Sequence, residues 1–157
     1  MFEFLTADQV IEIQRETLAN SGPPDMGRLE GALNRVQTLH HYAGCNDIFT
    51  LAAQYLIAIA KAHAFNDANK RTAFQSAAIF LLMNVDPNIP EEEAAGPYDL
   101  NQSYELVKLT VFAAMDEASL EQVSFALRLL SSYRNDLMDD YDEDYLLPIE
   151  QNDEDGG

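Results

Sequence analysis

Apolar residues recur along most of this chain at three- and four-residue intervals, and nothing alternates with period two long enough to be a strand. Thr6 followed by Gln9 has the spacing of a capping box, and Val10, Ile13 and Leu18 carry a helical rhythm on to Asn20, where Ser21-Gly22-Pro23-Pro24 stops it. Asp25 can cap a second helix, whose Met26, Leu29, Leu33, Val36 and Leu39 share one face. The segment from His40 to Asn46 contains Gly44 and breaks the pattern, which predicts an exposed connection. Asp47 then caps a third helix, from Ile48 to about Ala64, that is apolar nearly all round and so belongs at the centre of a bundle. After the polar turn Phe65-Asn66-Asp67, helical spacing resumes from about Ala68 to Leu82. Three prolines, Gly96 and the run Glu91–Glu93 make 84–98 a long loop. Two amphipathic stretches follow, Leu100–Met115 and Ser119–Ser132, the second opened by another capping box, Ser119 with Gln122. The expectation is an all-α bundle of about six helices, its two most apolar members joined by a short polar turn.

Composition narrows what such a bundle can do. The chain has 157 residues, 47% of them hydrophobic, which suits one domain with a real core. Its 27 acidic residues against 9 basic ones give a net charge of -18, and that excludes a general nucleic-acid or anionic-membrane binder, because such surfaces need clustered Lys and Arg. Ten of the acids fall between Asp136 and Asp155, where there is no basic residue. We therefore divide the chain into a domain, residues 1–134, and an acidic, mobile tail, residues 135–157. Tyr145-Leu146-Leu147 within that tail also has the character of an arm that docks on a basic surface. No apolar run approaches a membrane span, and Phe2-Glu3 lacks the basic opening of a secretory leader. A single cysteine, Cys45, forms no internal disulfide and points to a reducing cytoplasm.

The chemistry concentrates in the turn between the two apolar helices, His63-Ala64-Phe65-Asn66-Asp67-Ala68-Asn69-Lys70-Arg71-Thr72, where four ionisable groups fall within nine residues. A helix starting near Ala68 leaves backbone N–H groups unbonded and carries about half a positive charge at that end, an anion site before side chains are counted. Lys70 and Arg71 sit in its first turn, where the dipole disfavours cations unless a polyphosphate supplies the missing negative charge. Asp67 offers a hard oxygen ligand for Mg²⁺ beside that phosphate site, and His63 can take a proton from an attacking hydroxyl. Each residue also has a plainer role. A histidine at a helix end commonly caps carbonyls, an aspartate before a helix commonly caps N–H groups, and Phe65 is a core anchor. Their joint occurrence points to phosphoryl or nucleotidyl transfer. His40-His41 reads as a solvated helix end with no third ligand at metal spacing, and Cys45 has no neighbouring base.

At these residues the chain resembles the Fic/Doc family, whose motif is His-x-Phe-x-(Asp/Glu)-Gly-Asn-Gly-Arg-x-x-Arg. Residues 63–74 depart from it at Ala68 and Lys70, where the glycines stand, and at Phe74, in place of the final arginine. Those departures are similar to the death-on-curing (Doc) toxins. The resemblance runs over about residues 3–133 and leaves the tail outside. It implies a Fic-fold bundle with the motif between two central helices. It also implies a kinase moving the γ-phosphate of ATP to a Ser/Thr hydroxyl of a protein, in the family a threonine of elongation factor Tu, blocking translation. On that carry-over His63 is the base, Asp67 binds Mg²⁺, Ala68, Asn69, Lys70 and Arg71 hold the nucleotide phosphates, and Gly44, Cys45, Asn46 and Asp47 form a flap that docks the target as an added strand. A cognate antitoxin acting in trans is the implied partner, since the self-inhibitory pattern Ser/Thr-x-x-x-Glu-Gly/Asn does not occur in the chain. AMP transfer, as in most Fic proteins, is the second reading, opposed by Lys70 and Phe74. A catalytically idle binding module is the third, opposed by the intact His63/Asp67/Asn69/Arg71 set.

Overall fold

The computed structural model describes residues 2–20, 22–65, 69–84 and 104–132. They form six helices: α1 (Ala7–Thr17), α2 (Met26–His41), α3 (Ile48–Ala62), α4 (Asn69–Met83), α5 (Tyr104–Ala114) and α6 (Leu120–Ser132), with no strand among the described residues. The fold is all-α, as the periodicity predicts. The loop expected over 84–98 lies, beyond Asn84, outside the described residues, and so does the acidic tail.

Helix α3 is the hub, in contact with α2, α4, α5 and α6. Its buried residues, among them Leu51, Ala53, Tyr55, Leu56 and Ile59, point in every direction, so no face is left for water except a narrow stripe. Helix α4 is nearly as enclosed, with Phe74, Ala77, Phe80 and Leu81 in the core. Alanines at 52, 53, 60, 73, 77 and 78 are all buried, and small side chains let helix axes approach closely. No helix among the described residues is long and apolar enough to cross a membrane.

The starts of the helices follow the capping chemistry closely. Gln9 N–H donates to the Thr6 hydroxyl at 3.2 Å while Thr6 N–H donates to the Gln9 side chain at 2.8 Å, and Ser119 and Gln122 repeat the arrangement at 3.1 and 2.8 Å. Asp25 accepts from Arg28 N–H at 3.1 Å, and Asp47 from Phe49 and Thr50 N–H at 2.8 and 3.3 Å. The ends are less regular. Helix α1 stops at Thr17, short of Asn20, because Leu18 turns extended (φ -150°, ψ 94°). Helix α2 outlasts its apolar rhythm and takes in both histidines.

Residues 2–5 lie across the bundle as a strap. Leu5 N–H donates to the Tyr55 hydroxyl at 2.9 Å, and Asn84 exchanges hydrogen bonds with the Glu3 backbone at 2.7 and 3.0 Å. The Phe2 and Phe4 rings reach Phe80 and also His40, whose Nδ1 lies 2.8 Å from the Cys45 carbonyl. The solvated helix end expected at His40-His41 is therefore correct for His41 only, because the strap's two phenylalanines cover His40.

Burial pushes the Tyr55 hydroxyl up to about 12 from its ordinary 10.0, the Leu5 hydrogen bond pulling slightly the other way. The unfolded chain ionises first, so this residue's contribution to stability is full below pH 10 and is lost as pH rises towards about 12. Tyr55→Phe leaves the buried Leu5 N–H without its acceptor and should lower the unfolding free energy by about 1–3 kcal/mol near neutral pH. Urea unfolding of both proteins at about pH 8 and about pH 11 checks this, and the gap between them should narrow at the higher pH.

Candidate active site

Helix α3 ends abruptly. Its C-cap, His63, adopts the left-handed conformation (φ 50°, ψ 42°), which costs a non-glycine residue about 1 kcal/mol or somewhat more. Glycine or asparagine ordinarily fills such a position. Histidine here keeps a strained backbone and an exposed side chain, and strain of this kind collects at functional sites. Its ring makes no hydrogen bond among the described residues.

Just past His63 the chain turns inward. Ala64 and Phe65 are buried, so Phe65 is the core anchor the sequence suggests. The Asn69 side chain closes the turn: its Nδ2 donates to the Phe65 carbonyl at 2.8 Å, and its Oδ1 accepts from Phe65 N–H at 3.1 Å. This carboxamide is only 2% exposed and satisfies both backbone groups of a buried residue. Whatever Asn69 contributes outward comes from its backbone at the start of α4. Its side chain holds the turn.

The first turn of α4 also carries Lys70, half-buried and without an ion pair among the described residues, and Arg71, exposed. His63 and this cationic turn are thus only a few residues apart in sequence, and the Asn69 side chain ties the start of α4 to the Phe65 backbone. Asp67, expected to hold Mg²⁺, and Ala68, expected at the phosphates, lie outside the described residues. Among the described residues no three His, Cys, Asp or Glu side chains gather into a metal cage. Phe74, at the place of the family's last arginine, is buried in the core at 5% exposure.

Helix α2 braces the turn from outside. Asp25 N–H donates to the Ala64 carbonyl at 2.6 Å, and Arg28 Nη1 donates to the His63 carbonyl at 3.4 Å. In the sequence Asp25 looks only like a helix cap, and Arg28 has no visible link to the site. An N-cap residue's own N–H precedes the helix and is left for a tertiary partner, but no local spacing says that the partner is residue 64.

The proposed flap needs correction. Gly44, Cys45, Asn46 and Asp47 sit at the opposite end of α3, and its 15 residues set them roughly 22 Å from His63 along the helix axis. Asp47 is engaged structurally, capping α3 and pairing with Arg128, whose guanidinium lies 4.7 Å from the centre of the Phe49 ring. Gly44 takes the positive φ (71°) that turns the chain out of α2, and Cys45 N–H donates to the Leu39 carbonyl at 3.1 Å. These four residues shape the α2–α3 connection and do not border the His63 turn.

Comparison with known proteins agrees with the motif. The model of the Fic/DOC family matches residues 4–81, which span α1 to nearly the end of α4. The chain is also similar to a protein named Protein kinase doc from Escherichia phage P1, at 41% identity over 109 residues, covering 69% of this chain and 77% of that protein.

Two substitutions test the geometry of the turn. His63→Gly removes the left-handed strain and should raise stability by up to about 1 kcal/mol, seen as a higher urea midpoint than His63→Ala. Asn69→Ala strips the partners from Phe65 N–H and C=O and should cost about 1–3 kcal/mol or more, with faster hydrogen exchange at the Phe65 amide.

Proposed function

This chain belongs to the Fic/Doc family, and we propose that, as a Doc-like member, it transfers the γ-phosphate of ATP to a Ser/Thr hydroxyl of a protein. The observation that carries this reading is an exposed imidazole on a strained helix end, followed by a cationic helix start that the Asn69 side chain ties back to Phe65. In the reaction, His63 takes the proton of the target hydroxyl as its oxygen forms a bond to the γ-phosphorus. The bond from that phosphorus to the β–γ bridging oxygen breaks, and ADP leaves with the electron pair. The N–H groups at the start of α4, with Lys70 and Arg71, hold the phosphates, and Asn69 acts by fixing the turn that aims them.

Asp67 is our candidate for the Mg²⁺ ligand. One protein carboxylate suits Mg²⁺, which completes its shell with phosphate oxygens and water, and the ion would neutralise charge on the leaving phosphates. ATP and Mg²⁺ are thus the co-substrate and cofactor of this reading. Phe74 favours kinase chemistry over AMP transfer: a side chain buried in the core of α4 cannot clamp a second phosphate. By the same family likeness the target is elongation factor Tu and translation is what stops. A cognate antitoxin acting in trans keeps the toxin silent in the cytoplasm.

Incubation with ATP labelled on the γ- or the α-phosphate, in bacterial lysate, tests this directly. Label on a protein should come from the γ-position only. Transfer from the α-position would establish AMP transfer, and no transfer from either would leave a binding module. His63→Ala should reduce transfer by about 10²-fold or more while the helical circular dichroism is retained, and it should relieve growth arrest.

A further inference from the structure

The surface of α3 that its neighbours leave open forms a groove beside α2. Two adjoining depressions, about 480 and about 310 Å³, share Arg35. One opens near Tyr42 and Ala43, and the other ends at Arg28 and Lys61, beside the His63 turn. From residue 28 to residue 42 of α2 the groove runs roughly 21 Å. Its floor is apolar, with Leu39, Ile57 and Ala58, and every charged side chain lining it is a cation. Arg28 pairs with Asp25 and Lys61 with Asp116, but Arg35 has no hydrogen-bond or ion-pair partner among the described residues. In a chain with 9 basic residues against 27 acidic ones, this is an unusual concentration of positive charge.

Gly31 adds an independent observation. It lies inside α2 and lines the groove, yet a Cβ built on it meets nothing within 4 Å. A glycine within a helix costs about 1 kcal/mol relative to alanine. Neither backbone conformation nor packing among the described residues requires it here. Its effect is to deepen the groove.

We infer that the acidic segment of this chain beyond Ser132 docks in cis along the α2/α3 groove. Charge complementarity is the first argument, since ten acids from Asp136 to Asp155 meet three cations, and Tyr141, Tyr145 and Leu146 match the apolar floor. The second is where the chain leaves the bundle. Ser124 bonds Thr50 at 3.0 Å and Arg128 pairs with Asp47, so α6 runs antiparallel to α3 and ends near the start of α3, close to where the groove opens. The 25 residues 133–157 can span up to about 80 Å, several times the groove's length. Tethering supplies a millimolar local concentration, so even a weak contact is populated. Docked this way, the segment brings carboxylates next to Arg28 and the His63 turn. The inference rests on the groove and the charge pattern, and it stands whether or not the kinase reading does.

Hydrogen exchange with mass spectrometry on the full chain tests it, at low salt and at about 1 M salt, where the Debye length falls to about 3 Å. In the unmodified protein at low salt, the peptide covering residues 139–150 and the α2 surface around Arg35 should both be protected. That protection should be lost in high salt, in Arg35→Glu, and in Gly31→Phe, which fills the groove. Both positions are exposed, and their circular dichroism and Tm should stay near those of the unmodified chain. Exchange of residues 139–150 at the rate of a free peptide at low salt would overturn the inference. So would protection unchanged by both substitutions, which places the contact elsewhere, or protection lost on dilution, which makes it a contact between two copies.

Discussion

The reciprocal pair of hydrogen bonds between the Asn69 carboxamide and the Phe65 backbone determines how α3 passes the chain to α4. Phe65 must be buried to anchor the turn, and a buried residue needs partners for its N–H and its carbonyl. Neither helix can supply them, because one has just ended and the other has not begun. A single side chain four residues later supplies both. The chain leaves α3 through a left-handed, exposed histidine and then turns inward at Ala64 and Phe65. The exposed imidazole precedes this pair of hydrogen bonds and the cationic first turn of α4 follows it.

Rigidity comes from two directions. Inside, α3 and α4 are enclosed by other helices and cannot change register without opening the core. Outside, the start of α2 is bonded to the carbonyls of His63 and Ala64, so the brace comes from a helix far away in sequence. The arrangement fits a reaction in which positioning and charge supply most of the catalysis. The left-handed backbone at His63 is a local strain that the surrounding packing holds in place.

Charge is distributed with equal consequence. The excess of acid keeps general polyanions away, while five of the nine basic residues fall at two places, Lys70 and Arg71 at the start of α4 and Arg28, Arg35 and Lys61 along the groove. Arg28 belongs to both, lining the groove and holding the His63 carbonyl. A ligand lying in the groove would therefore touch a residue that also braces the His63 turn.

Much of this was legible in the residues themselves. Periodicity and caps placed all six helices, because Thr6, Asp25, Asp47 and Ser119 satisfy N–H groups within their own first turns, and an apolar pattern all round marks a helix with no solvent face. The motif at 63–71 identified the family because it is local and contiguous. What lay beyond reach were the facts that depend on distance in space. Asn69 looks like a phosphate ligand in the motif and proves to face inward. Asp25 and Arg28 look like an ordinary helix start and prove to hold the turn. Gly44 to Asp47 look like a partner of the site and prove to lie a helix length away. Sequence by itself determined which segments are helical and which family the chain belongs to, since both follow from patterns within a few residues. Only the tertiary structure decided which way each side chain points and what braces it, because those partners are chosen by packing between segments that no spacing along the chain connects.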